Sequence, residues 1–399
     1  MDITVYPSKL DGEIYPPLSK SLVHRFLIIN YFLHPTNFTY SKNLVQSLSP
    51  LLSDDIVTTL DVLEELRLHP HKAQLNFKSS GSTLRFMIPL LALLGGSYYL
   101  DAHDDLKKRP LDAYTPLFGK VAIPGVFTSS LDKESYTIDP SVSSQYVSGM
   151  LIALVARNTL AYLSLEKTLH SKPYVDTTLK MLKKAGAKIE LETNKEGLLS
   201  FKIYPSKEFR LLTQESLERD WSQSAFFLVA KALGASLKVK ELNQNSLQGD
   251  KHILNFIKEL KRPQNSLIDI AHTPDLFPIL CVLAAHQASK LTSFINIDRL
   301  RFKESDRLRS SYELLSSLGV RAYYTQNAFF VHGQESFKAC TIHSYNDHRI
   351  AMAGAIAACF AQGPCKIIKA EAVIKSYPQF FKELSSLGAR LEVGSCNSH

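Results

Sequence analysis

Residues 178–192 read TLKMLKKAGAKIELE, residues 311–324 read SYELLSSLGVRAYY and residues 377–393 read YPQFFKELSSLGARLEV. Each stretch sets apolar residues at helical spacing, then a glycine, then a short alternating run. Gly186, Gly319 and Gly388 stand where a helix C′ residue takes a positive φ, which costs glycine little. Gly186 and Gly319 are 133 residues apart, and Gly319 and Gly388 are 69 apart. The first interval is about twice the second, which predicts an intervening copy. NFIKELKRPQNSLIDI (255–270) supplies a helix and a strand there, without the glycine. Upstream, YTPLFGKVAIPG (114–125) places Gly119 67 residues before Gly186, and VTTLDVLEELRLHP (57–70) is an amphipathic helix of the same kind. The chain therefore repeats six times, at about 66 residues per unit.

A second helix recurs on the same beat, apolar nearly all round. Its copies are RFLIINYFL (25–33), RFMIPLLALLGG (85–96), YVSGMLIALVA (146–156), SAFFLVAKALGA (224–235), LFPILCVLAAH (276–286) and RIAMAGAIAACFA (349–361). A helix apolar on every face must be buried. Strands alternating with helices predict an α/β protein. Long, unevenly spaced repeats with a fully buried helix favour two three-unit domains over an open solenoid.

The chain has 399 residues, 45% of them hydrophobic and 21% charged, which excludes disordered and fibrous classes. Apolar runs such as 26–29 and 281–285 fall far short of the ~20 residues of a membrane-spanning helix. The opening MDITVYPSKLDGE has no apolar signal core, so a cytoplasmic location and no membrane partner are expected. The five cysteines (281, 340, 359, 365 and 396) are odd in number and form no CxxC. This argues against a disulfide framework or a zinc site. The net charge of +8 is dispersed rather than gathered in a run, which disfavours a nucleic-acid partner.

Polar residues open each apolar helix: SKSLVHR (19–25), SSGSTLR (79–85), SVSSQ (141–145), DWSQS (220–224), HTPD (272–275) and YNDHR (345–349). Any one Ser or Asp among them reads as an N-cap. Capping does not require arginine, yet Arg25, Arg85 and Arg349 recur at equivalent places. The helix dipole disfavours cations there, so these arginines point to bound phosphate or carboxylate groups. RLRFKESDRLR (299–309) is the densest charge cluster, with Lys303 and Arg307 at i, i+4 around Glu304. A carboxylate between two cations is a candidate for proton transfer. KKRP (107–110), LHSKPYVDTTLK (169–180) and VIKSYPQFF (373–381) are weak signals singly.

Seven ordered segments, SKSLVHR, SVSSQ, SKPYVDTTL (171–179), TPD (273–275), KESDRL (303–308), YNDHRIAM (345–352) and KSYPQFF (375–381), together resemble the 5-enolpyruvylshikimate-3-phosphate synthases. The resemblance implies the enolpyruvyl transferase fold, an inverse α/β barrel-like arrangement. It has two pseudo-threefold domains, each of three βαβαββ units, joined by a two-strand hinge. The implied domains are 1–17 plus 220–399, and 18–219, with the active site in the cleft between them.

The implied reaction joins phosphoenolpyruvate to the 5-hydroxyl of shikimate 3-phosphate and releases phosphate through a tetrahedral intermediate. By resemblance, Lys20, Asp275 and Glu304 are catalytic. Shikimate 3-phosphate falls to Lys20, Ser21, Arg25, Ser143, Ser144, Gln145, Ser171, Tyr174, Asp275 and Lys303. Phosphoenolpyruvate falls to Lys20, Gly81, Arg109, Gln145, Arg307, Arg349 and Lys375. No cofactor and no metal are implied, and a monomer is expected. The substrates bring together roughly six negative charges, and juxtaposing them needs this set of cations. The small residue at Gly81 implies sensitivity to glyphosate.

His24 stands where the family usually has Asn, Ser79 and Ser82 replace frequent Asn and Thr, and Trp221 and Gln223 replace small residues. The alternatives are a UDP-N-acetylglucosamine enolpyruvyl transferase, which usually carries a loop cysteine that is missing before position 281, and, remotely, an RNA-processing protein with His348 as its histidine.

Overall fold

The computed structural model describes residues 1–49 and 51–394. Its helix ends follow from the glycines. The helices Lys172–Lys184, Arg307–Ser317 and Phe380–Ser386 each end two residues before one of the three glycines, at φ +95°, +77° and +102°. Each glycine N–H bonds back three residues, and the next N–H bonds back five. This is one Schellman closure repeated three times. At Gly388 an added Cβ would also lie 2.8 Å from the Lys9 carbonyl oxygen.

The six apolar helices are Lys20–Leu33, Gly81–Leu94, Ser144–Arg157, Trp221–Ala232, Phe277–Ala285 and His348–Cys359. Every residue of Phe277–Ala285 and of His348–Cys359 is buried, as their uninterrupted apolar runs require. Among the described residues no helix is long and apolar enough to cross a membrane.

The chain divides into two units, one of Met1–Pro17 with Arg219 onward, the other Leu18–Glu218. In the first, one sheet runs Ser266–Asp269, Leu291–Ile295, Ala328–His332, Ala322–Tyr324. Its first pair is parallel around the helix Phe277–Ala285, and the rest is antiparallel. The second sheet runs Thr341–His343, Cys365–Ile368, Ile3–Val5, Leu391–Val393. The first strand of the chain thus lies between two of the last, antiparallel to both. Asp11–Ile14 pairs in parallel with Ser236–Val239. Arg219 belongs to this unit rather than with 18–218, because its guanidinium holds Pro16 O at 3.1 Å and Glu241 at 2.7 Å.

In the other unit, Ser135–Ile138 and Ala161–Leu165 flank the helix Ser144–Arg157 in parallel, and Leu199–Tyr204 and Lys188–Thr193 complete the sheet. Gln74–Asn76, Tyr98–Asp101 and Gly125–Phe127 form a second sheet around Gly81–Leu94. The remaining repeat departs from βαβαββ. Among its described residues the helix Lys20–Leu33 is followed by the single turn Pro35–Asn37 and the helix Phe38–Leu48, and Asp54–Leu68 comes next. Phe38, Ser41 and Val45 are its buried residues, a helical spacing. Asn30 ties it down through Ser41 Oγ and the Leu212 carbonyl, both at 3.0 Å.

Candidate active site

Each unit gathers its own set of charged residues where helices begin. In the first, Arg307 opens the helix Arg307–Ser317 and is fully buried. Its three guanidinium nitrogens reach three carboxylates. Nε donates to Asp347 Oδ2 at 2.8 Å, Nη1 to Asp275 Oδ1 at 2.6 Å and Nη2 to Glu304 Oε2 at 2.5 Å. Burial would lower its pKa, but Asp347, Glu304 and Asp275 outweigh that and raise it. Asp347 serves twice, since its Oδ1 accepts the Arg349 backbone N–H at 2.9 Å as N-cap of the next helix.

Asp275 is the hub. Besides Arg307 it receives Arg349 Nη2 on Oδ2 at 3.2 Å, and Lys303 Nζ stands 3.4 Å from Oδ1. The Asp275 carbonyl accepts Arg349 Nη1 at 3.1 Å, and Ser222 Oγ accepts the same nitrogen at 2.7 Å. Burial pushes the Asp275 carboxyl up, yet Arg349, Lys303 and Arg307 hold it well below the usual range. Lys303 is brought down to about 8, by burial first and then by Arg307 and Arg299, with Asp275 opposing. The i, i+4 reading of Lys303 and Arg307 fails, because Lys303 lies in extended backbone ahead of the helix. They share Asp275 instead. Lys375 closes the turn Ala370–Lys375 and is half-buried.

In the other unit, Lys20 is the first residue of its helix and pairs with Asp55 Oδ2 at 2.6 Å. Arg25 is buried, with Nε on Thr178 Oγ1 at 2.7 Å, Nη1 on Ser21 O and Oγ at 2.8 Å, and Nη2 on Tyr174 O at 2.9 Å and Ser148 Oγ at 3.3 Å. None of these acceptors is a carboxylate. Burial lowers Arg25 to about 10, so it stays charged at neutral pH. A buried cation held only by neutral acceptors favours an anion nearby.

Gln145 links Ser82, Arg85 and Ser143. Its Nε2 donates to Ser82 Oγ at 2.8 Å, and its Oε1 accepts Arg85 Nη1 at 2.9 Å and the Ser143 hydroxyl at 3.4 Å. Ser144 begins the helix that Ser143 caps. Ser171 precedes the helix Lys172–Lys184 at φ +54° and is buried. Gly81 opens the helix Gly81–Leu94, and a Cβ there would lie 3.1 Å from Arg109 Nη1 and 3.5 Å from Arg85 Nη1. Two guanidiniums over a helix N-terminus with no acidic residue in its first turn form an anion cradle.

The sequence pattern of EPSP synthase (3-phosphoshikimate 1-carboxyvinyltransferase) matches residues 68–384. The chain belongs to this family. Among its relatives, the 3-phosphoshikimate 1-carboxyvinyltransferases of Clostridium acetobutylicum and Clostridium kluyveri are 33% and 32% identical to it. The first match covers 97% of both chains and the second 98% of both. The solved EPSP synthase from Acinetobacter baumannii shares the fold, with a TM-score of 0.72 at 20% identity over 99% of this chain and 100% of that one.

Within this EPSP synthase family chain, eight of the sequence-predicted residues fall into two clusters, while Lys20 pairs with Asp55 and Gln145 with Ser143. Asp275, Lys303, Glu304, Arg307 and Arg349 join one hydrogen-bonded cluster. Ser21, Arg25 and Tyr174 join a second, in the other unit. Of the three helix-start arginines only Arg349 lies in a first turn, because Lys20–Leu33 and Gly81–Leu94 begin five and four residues before Arg25 and Arg85. The sequence reading missed Asp55, Asp347, Ser222 and Asp250. Asp347 and Ser222 lie inside quoted motifs and looked like helix caps. Asp55 lies ahead of the helix read at 57–70, and the structure places it in the first turn of Asp54–Leu68. Nothing in SLQGDKH marks Asp250.

Proposed function

We propose that this protein transfers the enolpyruvyl group of phosphoenolpyruvate to the 5-hydroxyl of shikimate 3-phosphate and releases phosphate. The observation that carries the reading is the half-buried Asp275 carboxylate held by Arg307, Arg349 and Lys303 together. A carboxylate held this low is a poor base at rest. Anionic substrates that draw off Arg349, Arg307 and Lys303 remove what holds it down, and Asp275 then becomes basic where a hydroxyl must lose its proton. Oxygen attacks C2 of phosphoenolpyruvate while Glu304 or Lys20 delivers a proton to C3. The tetrahedral adduct then loses a C3 proton and phosphate, and the double bond re-forms. Arginine and lysine neutralise the departing phosphate.

In this reading Lys20, Ser21, Arg25, Ser143, Ser144, Gln145, Ser171 and Tyr174 hold shikimate 3-phosphate, with Asp275 and Lys303. Gly81, Arg109, Gln145, Arg307, Arg349 and Lys375 hold phosphoenolpyruvate, with Lys20. Catalysis requires both sets to converge on one pair of substrates and to exclude water. The protein acts as a cytoplasmic monomer. The test is phosphate release from phosphoenolpyruvate with shikimate 3-phosphate or UDP-N-acetylglucosamine as acceptor. Release only with the first is expected. Release only with the second overturns the reading in favour of the other enolpyruvyl transferase.

A further inference from the structure

Asp250 lies in the single turn Gly249–His252 ahead of the helix Ile253–Leu260 and is only 4% exposed. The mechanism above does not use it. Its carboxylate accepts the Ser222 hydroxyl, and Ser222 Oγ accepts Arg349 Nη1 at 2.7 Å. A guanidinium can only donate. Ser222 has one proton, and Asp250 takes it. The direction of the chain is therefore fixed from Arg349 to Ser222 to Asp250, while Arg349 Nη2 holds Asp275 Oδ2 at 3.2 Å.

The charged groups facing Asp250 come from three other elements. They are Asp275 ahead of the helix Phe277–Ala285, Asp220 at the cap of Trp221–Ala232, and Arg349 from His348–Cys359. On its own turn, Lys251 is directed to the Gln244 carbonyl, and His252 Nδ1 lies 2.8 Å from Gly249 O. Burial first, and Asp275 second, push Asp250 up to about 6, with Arg349 and the Ser222 bond opposing.

We propose that Asp250 is a positioning residue for the anion site, fixing Arg349 through Ser222 and taking up a proton when an anion occupies Arg349. The proposal rests on the reading that Arg349 holds phosphoenolpyruvate. An arriving anion turns the field of Arg349 away from Asp250 and adds its own negative charge, and both changes favour the neutral carboxyl. A protonated Asp250 keeps an oxygen that accepts from Ser222, so the hydrogen-bond chain survives.

The test follows KM for phosphoenolpyruvate and kcat across neutral pH for the full chain, Asp250→Asn, Asp250→Ala and Ser222→Ala. Proton uptake is also read on adding sulfate, an anion that does not titrate there. In the wild type, KM rises with pH above about 6, approaching tenfold per unit, and sulfate drives uptake. Asp250→Asn keeps an acceptor but no charge, so it flattens the rise and abolishes the uptake, with kcat within about twofold. Ser222→Ala keeps the titrating carboxyl and raises KM by about tenfold at every pH, whereas Asp250→Ala loses charge and acceptor together and gives a flat profile about tenfold above that of Asp250→Asn. An Asp250→Asn enzyme with the wild-type profile and uptake overturns the proposal. So does one as impaired as Asp250→Ala, since packing alone would then be at stake. Uptake is read without turnover, so a wild type that takes up the proton yet releases no phosphate defeats the functional reading and leaves this one standing.

Discussion

Arg307 and Asp347 form a buried pair in which one carboxylate does two jobs: Oδ2 accepts Arg307 Nε at 2.8 Å and Oδ1 caps the helix that carries Arg349. Asp347→Ala is expected to cost about 3–5 kcal/mol, because it leaves a buried guanidinium short of a counter-charge and strips a cap. Asp347→Asn keeps the cap and should cost less. Both should lower kcat/KM at least about a hundredfold, since Arg307 is no longer aimed. Denaturant unfolding and initial rates check this, and an alanine variant of wild-type stability contradicts it.

Gly81→Ala sets a methyl group 3.1 Å from Arg109 Nη1. Arg109 must shift by a few tenths of an ångström. KM for phosphoenolpyruvate is expected to rise about tenfold, KM for shikimate 3-phosphate should stay near wild type, and glyphosate should bind more weakly. Equal changes in both KM values would place Gly81 elsewhere.

Lys303 carries a pH prediction of definite sign. Its folded value is about 8, with burial the main cause. Above that pH the resting enzyme loses a cation, so KM for shikimate 3-phosphate should rise from about pH 8 upward. Stability moves oppositely. The unfolded lysine keeps its proton to about 10.5, so between the two values the unfolded state binds more protons and this contribution to stability grows with pH. Lys303→Arg stays charged and should flatten the KM profile. A wild-type profile that is flat through this range contradicts the assignment.

Gly388→Ala tests the repeated helix closure. The residue has φ +102° and no room toward the Lys9 carbonyl, so a loss of about 1–2 kcal/mol or more is expected. Kinetic constants of the surviving folded enzyme should be unchanged. Thermal unfolding at wild-type temperature would show that the closure carries no strain.

Much of the fold was legible because its signals are local. Gly186, Gly319 and Gly388 mark helix ends through their own backbone, and an apolar helix announces burial by composition alone. The helix Phe38–Leu48 was not legible, because its buried Phe38, Ser41 and Val45 are too sparse to stand out, and Asn30 and Leu212 hold it from afar. Arg349 was found because a cation ahead of an apolar helix is unusual, and Glu304 and Arg307 because they lie in the densest charge cluster, RLRFKESDRLR (299–309). Asp55, Asp347 and Asp250 were not, since an aspartate ahead of a helix, at a cap or in a polar loop is ordinary. Their roles come from partners 35 residues away for Lys20–Asp55 and 40 for Arg307–Asp347.

The central claim is that Asp275, freed from its three cations by the substrates, takes the proton of the attacking hydroxyl. Steady-state phosphate release by Asp275→Asn, with both substrates saturating, tests it most directly. The amide keeps the shape and cannot act as the base, so kcat should fall at least about a thousandfold while phosphoenolpyruvate binding changes by less than about tenfold. A kcat within about tenfold of wild type would contradict the account.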